Sequence, residues 1–213
     1  MRLIAICLIL LVSVTCGIQS TLANNTVEHV KRLLILGDSL TAGYGLTSSE
    51  AFPVQLEKAL QQSGYDITVI NAGVSGDTSA GGLARLEWAL ADDPQIVIVE
   101  LGGNDALRGL PPEVTFDNLD AILERLKVSG MSVILAGMKA PRNLGENYTA
   151  AFDQIYPLLA SKHSVSIYPF FLDGVALDPV LNQADGIHPN ATGVGVIVER
   201  ILPIVEDAIK NMR

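Results

Sequence analysis

Beyond residue 23 the chain has no cysteine, since its only two are Cys7 and Cys16. A domain beginning after them has no disulfide, no thiol nucleophile and no thiolate metal ligand. Histidine is almost as scarce: His29, His163 and His188 are the whole supply. Three dispersed imidazoles without thiolates do not suit a zinc site, so none is expected. Positive charge is also short, with 14 Lys and Arg against 23 Asp and Glu and no basic run. That balance excludes nucleic acid and anionic membrane as partners. No Gly-x-Gly-x-x-Gly and no phosphate loop ending in Lys-Ser or Lys-Thr is present, which removes the usual nucleotide cradles. The Gly-x-Ser-x-Gly elbow is absent too, because Gly73-Val74-Ser75 runs directly into Gly76-Asp77.

Long uncharged stretches are limited to one, Leu3 to Ile18, behind the basic start Met1-Arg2. Small residues follow in Thr21-Leu22-Ala23, before Asn24. This is the layout of a secretory signal peptide. An anchor helix would need ~20 apolar residues to cross a bilayer. The expected division is therefore a signal at 1–23 and one domain at 24–213, exported to the periplasm or secreted, with no stable membrane insertion after cleavage. Lipidation at Cys16 is not expected, since Ser13-Val14-Thr15 lacks the usual Leu and small-residue pattern. Cleavage would remove Arg2 and no acid, leaving 13 basic and 23 acidic residues and a net charge of −10.

Hydrophobic residues make up 49% and charged residues 17% of the chain, enough for a single packed core. Five short apolar runs read as strands: Leu33–Leu36, Ile67–Ile70, Ile96–Val99, Val133–Leu135 and Val165–Tyr168. They are continuous rather than alternating, as in strands buried on both faces of a parallel sheet. Helical patterns run from about Pro53 to Ser63, Gly82 to Ala91, Thr115 to Ser129, Tyr148 to Lys162 and Ala191 to Met212. In the third, Phe116, Leu119, Ile122, Leu123 and Leu126 share one face. The alternation predicts an α/β fold: a three-layer α/β/α sandwich around a five-stranded parallel sheet.

Open parallel sheets bind ligands beyond the carboxyl ends of their strands. There the chain places Gly37-Asp38-Ser39-Leu40, Gly73-Val74-Ser75-Gly76-Asp77 and Gly102-Gly103-Asn104-Asp105, and Asp185-Gly186-Ile187-His188-Pro189 precedes the last helix. A serine hydroxyl needs a base to become a nucleophile. His29 lies in the terminal lead-in, and His163, beside Lys162 after a helix, reads as a solvated helix end. His188 has Asp185 three residues before it. That spacing lets the carboxylate hold one ring nitrogen and leaves the other for Ser39. Asp185 is expected to be a buried partner. Taken alone, this segment reads more readily as a turn-rich loop. Acyl transfer also needs neutral donors for an oxyanion. An unobstructed backbone N–H suits Gly76, and a side-chain amide suits Asn104, although either could simply shape a turn. Asp38, Asp77 and Asp105 read as turn or supporting residues, and Trp88 as core or groove wall.

In order and spacing these four blocks resemble the SGNH or GDSL hydrolases. The family's defining residues fall on Ser39, Gly76, Asn104 and His188, with Asp185 as the triad acid. Ser75–Ser79, Leu83–Leu86, Val99–Asp105, Leu107–Gly109, Tyr156-Pro157 and Pro169–Phe171 are further similar to the bacterial thioesterase I/protease I/lysophospholipase L1 (arylesterase) subgroup. The likeness spans roughly residues 32 to 210. It implies a flavodoxin-like sandwich, no cofactor, and hydrolysis of aryl esters, lysophospholipids and acyl thioesters. The implied route is an acyl-enzyme at Ser39, with the N–H groups of Ser39 and Gly76 and the Asn104 amide around the oxyanion. Leu107, Leu110, Pro111, Met138 and Pro141 follow strands three and four. They are candidates for an apolar acyl trough, or else for core edge. A carbohydrate O-deacetylase and a non-catalytic binding module on the same fold are the alternatives. The oligomeric state is left open, with a monomer favoured.

Overall fold

The computed structural model describes residues 31–212; the expected signal segment and His29 lie outside them. Five parallel strands form the central sheet: β1 (Lys31–Gly37), β2 (Ile67–Gly73), β3 (Ile96–Glu100), β4 (Ser132–Ala136) and β5 (Ser166–Tyr168). Their order is β2-β1-β3-β4-β5, the flavodoxin-like winding. β1 and β3 are neighbours in register, Leu33 opposite Ile96 and Leu36 opposite Val99. Leu33–Leu36 and Ile96–Val99 are wholly buried, which explains their unbroken apolar spelling.

β2 departs from that expectation. It is an edge strand with Thr68 and Asn71 exposed. The Val69 N–H donates to Glu57 Oε2 at 2.6 Å, so an acidic side chain covers an edge that could otherwise recruit another strand.

The helices are α1 (Ser39–Ala42), α2 (Phe52–Gln62), α3 (Ser79–Ala84), α4 (Leu86–Ala89), α5 (Gly103–Leu107), α6 (Pro112–Val128), α7 (Glu146–Asp153), α8 (Ile155–His163) and α9 (Ala191–Lys210). α2 packs on α9, and α6 packs on α3 and α8. Leu56 and Leu60 of α2, with Ile197, Ile201 and Val205 of α9, bury the apolar faces that drive this packing.

Two expected helices are each split. The stretch from Gly82 to Ala91 divides at Arg85. The stretch from Tyr148 to Lys162 divides at Gln154. In the latter, Pro157 has no N–H to offer the Asp153 carbonyl one turn back. Short α4 presents Trp88 outward, 75% exposed, so Trp88 is neither core nor groove wall. His163 is corrected in the other direction: it is buried, with Nε2 2.7 Å from Asp120 Oδ1. It is a structural partner of α6, not a solvated helix end.

Candidate active site

α1 and α5 begin at the carboxyl ends of the adjacent strands β1 and β3. This arrangement brings Ser39 and Asn104 to one edge of the sheet, beside the point where the strand order reverses. Gly37 ends β1 with no room for a side chain: a Cβ there would collide with Thr41 and with Glu100. Asp38 then caps α1, its Oδ1 accepting from the Leu40 N–H at 2.9 Å. Ser39 occupies the first helical position.

The second loop is tied to the first. The Gly37 carbonyl accepts from the Val74 N–H at 3.0 Å and from Arg85 Nη2 at 2.9 Å. Arg85 Nε also donates to Asp77 Oδ2 at 2.6 Å. Gly76 has φ 82°, which a side chain would strain, and its carbonyl accepts from Arg108 Nη2 at 2.7 Å. Among the described residues no acceptor takes the N–H of Ser39 or of Gly76. Asp105, fully buried, accepts from the Ser79 N–H at 2.8 Å and from the Ser79 hydroxyl. It thereby joins α5 to the start of α3.

His188 arrives from the loop before α9. Its Nε2 lies 2.9 Å from Ser39 Oγ, and its Nδ1 lies 2.7 Å from Asp185 Oδ2. Asp185 Oδ1 accepts from the N–H of Ile187 at 2.9 Å and of His188 at 3.0 Å. The N–H of His188, then that of Ile187, then the imidazole pull the Asp185 carboxyl down to about 2. An ionised carboxylate is acceptor-only, so Nδ1 carries the ring proton and Nε2 accepts from the Ser39 hydroxyl. Against expectation, Asp185 is not buried, its side chain being 37% exposed. Hydrogen bonds rather than desolvation fix its charge. Tyr44, missed in the sequence, tilts its ring against His188 with centroids 4.6 Å apart.

Beside Ser39 opens a cavity of about 190 Å³, mostly apolar. Leu107, Met138 and Pro141 line it; Leu110 and Pro111 do not. The chain turns away after α5: Pro111 is the N-cap residue of α6, and the Leu110 carbonyl accepts from the Tyr148 hydroxyl at 2.7 Å. Leu172, Ile187 and Lys139 are lining residues that sequence reasoning missed. Leu172 follows β5, so the same post-strand rule could have found it. A larger cleft of about 860 Å³ at the opposite end of the sheet, around Lys31, Asp93 and Met131, contains no histidine.

Residues 35–196 match the model of the GDSL-like Lipase/Acylhydrolase family. The chain belongs to this family. It is 46% identical over 159 residues to the Thioesterase 1/protease 1/lysophospholipase L1 of Escherichia coli, covering 74% of this chain and 75% of that one. It is 44% identical over 183 residues to the Arylesterase of Vibrio mimicus, covering 85% and 90%. Among solved structures, AlinE4, a SGNH-hydrolase family esterase, superimposes with a TM-score of 0.71 at 48% identity, covering 84% of this chain and 96% of that one. The structural likeness to AlinE4 is consistent with the α/β/α sandwich built on the five-stranded parallel sheet of the present chain.

Proposed function

We propose that this GDSL-family chain is an exported serine esterase and thioesterase acting on acyl esters, with Ser39, His188 and Asp185 as its catalytic triad. One observation carries the proposal: a continuous hydrogen-bond chain from Asp185 through His188 to Ser39, ending at the mouth of an apolar cavity. His188 takes the Ser39 proton as Oγ attacks the acyl carbonyl, and ionised Asp185 stabilises the imidazolium. Negative charge forms on the carbonyl oxygen, which the untaken N–H groups of Ser39 and Gly76 and the Asn104 amide are suited to receive. His188 then protonates the leaving group and activates water to release the acyl group from Ser39. One chain supplies every group, so the proposed site is complete in a monomer.

Substrate classes follow from the relatives' activities and the cavity: aryl esters, lysophospholipids and acyl thioesters. The apolar lining of Leu107, Met138, Pro141 and Leu172 favours an acyl chain over a sugar ring, so a carbohydrate O-deacetylase is the weaker alternative. Turnover of p-nitrophenyl esters of graded acyl length, measured beside a lysophospholipid, is the test. Hydrolysis of acyl esters is expected. Release of acetate from acetylated sugars with no turnover of the acyl esters would reverse the choice.

Export is proposed from the signal-like layout of residues 1–23. The exported form should start near Asn24 and hold no cysteine, as intact-mass analysis would show. A retained N-terminus or a lipid adduct on Cys16 would instead tie the enzyme to a membrane.

A further inference from the structure

Behind Ser39 lie two acids that the mechanism above does not use. Asp38 is 2% exposed and Glu100 is fully buried. Glu100 Oε2 accepts from the Asp38 N–H at 3.3 Å, and among the described residues Glu100 Oε1 has no partner. Both Asp38 oxygens are engaged. Oδ1 takes the Leu40 N–H, and Oδ2 takes one Asn104 Nδ2 hydrogen at 2.9 Å. Asn104 also lines the cavity at Ser39, so its remaining amide hydrogen is the one available there.

We propose that Asp38 is a positioning residue for hydrolysis: by holding one hydrogen of the Asn104 amide, it fixes the nitrogen, and not the oxygen, toward the developing oxyanion. This rests on Asn104 being an oxyanion donor, as proposed above. An asparagine side chain can turn over at little cost, because its oxygen and nitrogen are nearly the same size. Reversed, Asn104 would face the oxyanion with a carbonyl and repel it. An acceptor-only neighbour prevents the reversal. The arrangement is costly to the fold, since burial pushes the Asp38 carboxyl up to about 6 and the Glu100 carboxyl well above the usual carboxylate range. A side chain that served only to cap α1 would do so as well with a neutral amide.

Asp38→Asn isolates this role. The cap keeps its oxygen on the Leu40 N–H, which turns the new NH₂ toward Asn104 and sets donor against donor. Three variants are to be assayed on a p-nitrophenyl ester: Asp38→Asn, Asn104→Ala and the pair combined. Each single change should lower kcat by roughly 10²–10³ with little change in KM, the loss of one oxyanion donor. The combined variant should be no worse than the poorer single one, because both remove the same interaction. The unfolding midpoint of Asp38→Asn near neutral pH should equal or exceed that of the parent, since a buried carboxylate is gone. Multiplying losses, or a lowered midpoint with an equal fall in kcat for the pair, would make Asp38 structural and overturn the proposal. Asn104→Ala impaired but Asp38→Asn near wild type would overturn this proposal alone. Asn104→Ala at full kcat would overturn the oxyanion role and this proposal together. Should Asp38→Asn fail to fold, the Asn104 side-chain amide of the unaltered protein decides by NMR. One downfield, slowly exchanging proton supports the bond, and two ordinary rapidly exchanging protons overturn it.

Discussion

Ser39→Ala should lower kcat for ester hydrolysis by roughly 10⁶, the scale seen when a serine nucleophile is removed from a triad. The change deletes one hydroxyl at the first position of α1, whose cap is formed by Asp38 and not by Ser39. Folding should therefore be preserved, and the thermal unfolding midpoint should stay near that of the parent. A fluorophosphonate should label the parent once, at Ser39, and should leave the alanine variant unlabelled. Peptide mapping that finds the label on another serine would remove Ser39 from the mechanism. Unlabelled parent protein that still retained ligand in the cavity would point to a binding module instead.

Asp185→Asn should lower kcat by up to ~10⁴, through the wrong imidazole tautomer. The geometry decides which way the new amide faces. Two backbone N–H groups, from Ile187 and His188, converge on Oδ1, so the asparagine oxygen must take that place. Its NH₂ then replaces Oδ2 against His188 Nδ1. The ring can satisfy that donor only by moving its own proton to Nε2, where it faces Ser39 and cannot accept from the hydroxyl. The loop keeps its turn, so stability should change little. Were Asp185 only a turn residue, the variant would run near the parental rate. The aspartate, held at about 2, stays ionised from mildly acidic pH upward. No loss of rate from its protonation is expected until the pH falls toward that value. Its effect on folding has the same sign: the ionised form is favoured in the native state above the ordinary aspartate range, and this advantage is lost as pH falls through about 2.

Much of the architecture was legible because local pattern and buried environment coincide. The runs Leu33–Leu36 and Ile96–Val99 sit in central strands, where both faces are covered, and apolar continuity follows directly. Where a position depends on neighbours distant in the chain, the pattern misleads. His163 ends α8 beside a lysine, yet Asp120, 43 residues earlier, draws it inside. Trp88 is apolar within a helical pattern, yet α4 turns Leu86 and Ala89 to the core and leaves Trp88 on its outer face. α1 and α5, at four and five residues, are below the length at which helical periodicity can register.

The same division holds at the site. Residue types and block order in the sequence by themselves determined the chemistry: one serine, one histidine with an acid three positions earlier, a glycine and an asparagine after successive strands, and no thiol in between. Those are covalent facts, and no fold can add a nucleophile. Tertiary structure decided what those groups face. It set the 2.9 Å contact between His188 and Ser39 across 149 residues, the exclusion of Leu110 and Pro111 from the cavity, and the exposure of Asp185. It also joined Asp38 to Asn104 across 66 residues. Such pairings depend on strand order and loop path, which arise from burying the whole sheet at once, and no local window of sequence encodes them.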